Sequence, residues 1–171
     1  DTPAASTTLT MTVNDQGNTG SGGPLTSNDT ATINITALND APTATITPVS
    51  YSVNEQATLT LHGTGLAIAD VDAAAGTMSV TLSVGEGTLN VAAGSTGASV
   101  SNSGTSTVTI TGTVTQINNL LAGNLSGTVT YIDNTNTPSA STTLTLSVND
   151  QGNTGSGGAL TFTADIPNAM K

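Results

Sequence analysis

The chain has 171 residues with three aromatics (Tyr51, Tyr131, Phe162), no cysteine, and eleven acidic side chains against one base, Lys171, for a net charge of −10. Nucleic acid and anionic membrane are excluded as expected partners, because both require a cationic face to displace counterions. No apolar run approaches the roughly 18 residues of a membrane span, and no basic-plus-apolar leader is present.

Thr, Ala, Gly, Ser, Asn and Val dominate, and the β-branched residues fall in short runs bounded by Gly, Asn, Asp and Pro. That is the pattern of an all-β sandwich rich in turns. One domain of about 100 to 130 residues fits this length, with a remainder. A chain starting at Asp1 reads as a piece or a processed product of something longer. With one His, one Lys, no Arg and no Cys, the usual acid–base and nucleophile pairs are missing, so no enzyme is expected. A secreted β protein without disulfides needs another source of rigidity, and outside the cell bound calcium is the usual one.

From the N-terminus, residues 1–26 recur at 136–161 with 21 of 26 positions identical, a shift of 135 that sets Asp15 on Asp150. A repeat of that length suits whole beads in tandem, each with its own core, rather than a solenoid. Leu9, Met11 and Val13 alternate with polar residues, as do Leu144, Leu146 and Val148, which predicts a strand with one buried face in each copy. Each strand runs into GNTGSGG, read as a flexible hairpin because it lacks the Lys and the helix of a phosphate-binding loop. A second alternating run sets Ala31, Ile33, Ile35 and Ala37 inward. Residues 1–38 therefore read as the last two strands of a preceding bead. Residues 39–42 (Asn-Asp-Ala-Pro) read as a linker, since Pro42 removes a donor and holds its predecessor extended.

The main bead is expected over 43–171, with strands near 43–47, 51–61, 77–84, 87–92, 106–111, 128–132 and 142–148. Val114, Ile117, Leu120 and Leu121 have helical spacing and predict a short helical turn. His62 has no other His or Cys to share a metal and is expected at the surface. After Thr161 the sequence departs from the first copy, so the final strand is expected to be short, with Leu160, Phe162 and Ala164 inward, or missing.

In a sandwich whose entrance, early loop and last loop gather at one end, Asn39 and Asp40, Asp70 and Asp72, and Asn149 and Asp150 come together. Within any one loop, turn formation alone accounts for Asp and Asn. Three acidic segments at one end would repel one another without a cation, and together they offer the six to eight oxygens that calcium takes.

NDAP at 39–42, VNEQATLTL at 53–61, IADVDA at 68–73, VTQINNLLAG at 114–123 and VNDQGNTGSGGALT at 148–161 resemble, in this order, the cadherin-like repeats of giant bacterial surface adhesins of the RTX and biofilm type. The resemblance covers nearly the whole chain. It implies an immunoglobulin/cadherin-like Greek-key β-sandwich in a tandem-bead array, with Ca2+ held by Asn39, Asp40, Asp70, Asp72, Asn149 and Asp150. Asp70-Val71-Asp72 matches the paired-aspartate motif, Glu55 the glutamate of the junction at the opposite end, and Asp15 is the first-copy counterpart of Asp150. The implied function is an extracellular stalk on the bacterial cell surface, used in attachment and biofilm formation. Two other readings stand beside it. The chain is a fibre subunit in which residues 27–38 of one copy complete another copy by strand addition, or a carbohydrate- or protein-binding module, against which the scarcity of aromatics speaks.

Overall fold

The computed structural model describes residues 3–170, with side chains as far as residue 167, so Lys171 lies outside the described residues. The chain divides into two compact units, one ending at Ala37 and one starting at Leu38.

The first unit is an antiparallel hairpin of β1 (Ser6–Asn14) and β2 (Thr26–Asn34), in unbroken register from Ser6 opposite Asn34 to Asn14 opposite Thr26. Period-two geometry puts Leu9, Met11, Val13, Ala31 and Ile33 on one face. That face is expected to be buried, and here it is open: Leu9 is 59% exposed, Met11 65%, Val13 58% and Ile33 48%. Two strands make one layer, and an apolar face is buried only when a second layer lies against it.

The second unit contains β3 (Thr43–Ile46), β4 (Thr58–Thr60), β5 (Leu66–Ala69), β6 (Met78–Val84), β7 (Thr88–Ala92), β8 (Ser99–Ser101) and β9 (Thr107–Gly112). After these come α1 (Val114–Leu121), β10 (Thr128–Ile132), β11 (Thr142–Asn149) and β12 (Thr161–Met170). Its strands form a five-stranded sheet in the order β12-β11-β6-β9-β8, a three-stranded sheet β4-β10-β7 and the pair β3-β5, all antiparallel. The unit is thus a mostly β sandwich with one short α-helix. Alternation supplies the core: Met78, Val80, Leu82, Val108, Ile110, Leu144, Leu146 and Val148 from the large sheet cluster with Leu89, Val91, Val129, Leu66 and Ile68. Each large apolar side chain so buried contributes about 1.5–3 kcal/mol.

The helix appears where its spacing predicts it. Thr113 and Gln116 form a capping box, with Gln116 N–H donating to Thr113 Oγ1 at 3.3 Å and Thr113 N–H to Gln116 Oε1 at 2.9 Å. Ile117, Leu120 and Leu121 seal its inner face.

Four expectations need correction. Residues 51–61 do not form one strand, because Asn54–Ala57 turns, with Gln56 at φ 61° and Ala57 N–H bonded to the Asn54 carbonyl. β5 and β8 were not anticipated: β5 is a short run without polar alternation, and β8 has only three residues. The final strand is neither short nor missing, since β12 has ten residues and pairs with β11 from Asn149–Thr161 to Thr142–Met170, with a register shift near the Thr142 end. Its inner anchor is Ile166, with Ala164 partly buried and Phe162 still 42% exposed. Pro167 is tolerated because β12 is an edge strand. Finally, His62 is partly buried, and Val129 N–H donates to its Nδ1 at 3.1 Å; its place beside β10 draws the ring into the backbone ladder.

Candidate cation site

Strand β5 delivers Asp70 to one end of the bead and is held on both sides. β3 pairs with it so that Thr43 lies opposite Ala69. On its other edge the Asn118 amide of α1 acts as a strand partner, accepting from Ile68 N–H at 2.9 Å and donating to the Ile68 carbonyl at 2.8 Å. Asp70 Oδ1 then accepts from Asp72 and Ala73 N–H, each at 3.1 Å, an Asx turn of the kind such sequences favour. Asp72 reaches back to the linker, where its Oδ2 accepts from Asp40 N–H at 2.9 Å.

The β11–β12 loop closes the third side. Asp150 Oδ1 accepts from Gly152 N–H at 2.8 Å and Leu160 N–H at 2.7 Å, which folds the loop onto its own stem. Asp150 Oδ2 accepts from Asn39 Nδ2 at 2.6 Å, and the same amide donates to the Gly158 carbonyl at 2.8 Å. Asn39 N–H donates to the Ser156 carbonyl at 3.0 Å. Thr154 Oγ1 donates to the Asp72 carbonyl, and Asn153 Nδ2 to the Thr77 carbonyl at 3.0 Å. Gly155, at φ 94°, lies so close to the linker that a Cβ there would come within 2.5 Å of the Leu38 carbonyl carbon. The loop expected to be flexible is therefore docked.

Linker, Asp70–Ala73 turn and last loop thus meet at one end. Where they meet, Asn39 Oδ1, Asp70 Oδ2 and Asp72 Oδ1 are buried without a hydrogen-bond partner, and Asp72 as a whole is 1% exposed. Buried acceptors without donors are costly, carboxylates most of all. A hard cation with a preference for oxygen would satisfy them, with the remaining ligands that such an ion takes coming from elsewhere. The two carboxyls also divide in acidity. Burial, then the neighbouring Asp72 side chain, pushes Asp70 up, while the Asp40 N–H, then the Asp70 side chain, holds Asp72 down.

Of the residues named from sequence, Asn39, Asp70, Asp72 and Asp150 are brought together. Asp40 contributes its backbone N–H while its side chain is exposed. Asn149 acts as a hairpin strut, its Nδ2 donating to Thr161 Oγ1 at 2.9 Å and its Oδ1 accepting from Gln151 N–H at 2.8 Å. Glu55 is not with them. It lies beyond the other ends of β6 and β11, on an exposed turn, and lines a cleft of about 70 Å³ with Glu86, Asp133 and Tyr131. There the Tyr131 hydroxyl is pushed up to about 12 by burial, then by Asp133 and Glu86. Asp15 belongs to the hairpin unit, its Oδ1 accepting from Gly17 and Leu25 N–H at 2.8 Å each, bonds that hold its carboxyl below the usual range. Sequence reasoning missed Asn118, Asn153, Thr154 and Gly155, whose partners are distant in the chain. Among the described residues, no group of three or more His, Cys, Asp or Glu stands together as a metal cluster. The open acceptors are two carboxylate oxygens and one amide oxygen, both Asp150 oxygens being engaged. Comparisons with known protein families, with curated proteins and with solved structures find no match.

Proposed function

We propose that this chain is a calcium-stiffened structural repeat of an extracellular bacterial adhesin stalk, with an immunoglobulin/cadherin-like Greek-key bead, serving surface attachment and biofilm formation. The observation that carries the reading is the set of buried, partnerless oxygens on Asn39, Asp70 and Asp72. These atoms would hold the ion, helped by backbone carbonyls of the same segments. Bound there, calcium neutralises the two aspartates and ties the linker to a turn and a loop far apart in sequence, which is a mechanical role. On this reading Glu55 serves the junction at the other end, Asp15 serves the corresponding loop of a preceding bead, and the partners are neighbouring repeats of the same polypeptide. Strand addition between separate copies has less support, since β12 already fills the place beside β11.

Isothermal calorimetry of the chelator-stripped chain tests the reading. Calcium is expected to bind with Kd of about 10⁻⁴ to 10⁻³ M, the range of extracellular modules, and magnesium more weakly. A chain that takes up no calcium at several times that concentration contradicts it.

A further inference from the structure

The first hairpin is a copy in shape, not only in sequence, of the last hairpin of the bead. Leu9 pairs with Ala31 as Leu144 pairs with Ile166, and Asn14 with Thr26 as Asn149 with Thr161. The loops agree residue by residue in their left-handed positions: Gln16 and Gln151 at φ 58° and 60°, Gly17 and Gly152 at 68° and 72°, Gly20 and Gly155 at 99° and 94°, Gly23 and Gly158 at 72° and 75°. Asp15 and Asp150 cap their loops with the same pair of backbone bonds, and Asn14 and Asn149 brace theirs to a threonine hydroxyl at 3.0 and 2.9 Å.

The surroundings are opposite. Leu144, Leu146 and Val148 are fully buried, whereas Leu9, Met11 and Val13 are more than half exposed. What covers the last hairpin is visible: β6 pairs along the free edge of β11, with Leu144 opposite Val84 and Val148 opposite Val80, and the core packs against its inner face. The loop of the last hairpin is also occupied, with Gly155 against Leu38 and Asn39, whereas a Cβ on Gly20 would meet nothing within 4 Å. A preformed loop and a preformed apolar face, both uncovered, match one known cover.

We infer that the open face and edge of the β1–β2 hairpin form a docking surface for a second copy of the bead body, of the kind spanned by residues 38–135, joined to it in tandem. β1 becomes the strand beside that body's β6, with Leu9, Met11 and Val13 in its core. β2 covers less than β12 does, because Ser27, Asp29 and Ala31 stand where β12 has Phe162, Ala164 and Ile166. Asp29 falls at the Ala164 position, which is only partly buried. Free copies of this chain offer one another no such body, since each body already holds β11 and β12. This inference extends the tandem-bead part of the proposed function and does not depend on calcium.

The test therefore runs in EDTA, so that a failure of the calcium reading leaves it unaffected. Residues 38–135 are placed directly before Asp1 of the full chain, and backbone hydrogen exchange of β1 is compared with that in the 171-residue chain. Exchange of the Leu9, Met11 and Val13 amides is expected to slow by about a thousandfold or more on extension, the difference between a fraying segment and a core strand. Equal exchange in the two proteins overturns the inference. So does slowing of β1 exchange in the 171-residue chain with rising concentration, which would make the cover another hairpin. A second protein guards against an extension that fails to fold: the full chain with residues 136–170 replaced by residues 1–35. It is expected to melt cooperatively, at a lower temperature than the parent, and loss of the cooperative melt contradicts the fit of this hairpin to this body.

Discussion

Asp70 and Asp72 lie on one turn, but different donors serve them. Asp70 is pushed above the ordinary value of 3.8 chiefly by burial, and Asp72 is held below it chiefly by the Asp40 N–H. The sign of the pH dependence follows. The folded state binds the Asp70 proton more readily than the unfolded chain does, so without a cation its contribution is unfavourable at neutral pH and is relieved as pH falls through the raised folded value. Asp72 behaves oppositely: its stabilisation is present above 3.8 and is lost as pH falls through its depressed folded value. The calcium-free bead is therefore expected to gain slightly in melting temperature just above pH 3.8 and to lose stability below it. Carboxyl NMR checks the assignment, with Asp70 titrating above Asp72; the reverse order would contradict it. The same proton competes with the ion, so added calcium is expected to stabilise the bead less as Asp70 protonates.

At the scale of elements, the last loop shows why docking and turn chemistry must be separated. Gly20 and Gly155 adopt nearly the same left-handed φ, which an L side chain would hold only under strain, but only Gly155 presses on the linker. Ala at either position costs about 1–3 kcal/mol of backbone strain in its own unit. Gly155→Ala is expected to cost more, because its Cβ would collide with Leu38 and Asn39. Thermal melts together with calcium titrations check this. Gly155→Ala should weaken calcium binding and Gly20→Ala should leave it unchanged; equal effects would mean that the loop does not position the linker. The elements legible in the sequence include β3, β7, β9 and β10, each within a residue or two of its expected span, and most clearly those with sustained periodicity: Met78–Val84 and Thr142–Asn149 at period two, and Val114–Leu121 at helical spacing. β5 was not legible, because Leu-Ala-Ile-Ala has neither alternation nor length. Its place depends on Asn118, 50 residues away. The convergence of Asn39, Asp70, Asp72 and Asp150 could be read from loop order in a sandwich. The roles of Asn149, as a strut, and of Thr154, as a donor to the Asp72 carbonyl, could not, because each depends on a particular contact.

Across the whole molecule, near-identical segments have unequal energetic weight, because only one of them has a core to join. Leu144→Ala is expected to cost about 2–5 kcal/mol, as buried leucines do. Leu9→Ala in this chain should change stability by no more than about 0.5 kcal/mol, as exposed substitutions do. Chemical denaturation of the two variants measures the contrast, and similar losses would mean that the first hairpin is packed after all. Scanning calorimetry with millimolar calcium and with EDTA tests most directly whether a cation joins linker, turn and loop. Calcium is expected to add on the order of 1–2 kcal/mol, seen as a melting temperature higher by several degrees. The double variant Asp70→Asn/Asp72→Asn should lose most of that gain, while Asp29→Asn and Asp165→Asn keep it. A melting temperature unchanged by calcium, or a gain lost equally at all four aspartates, would contradict a specific calcium site.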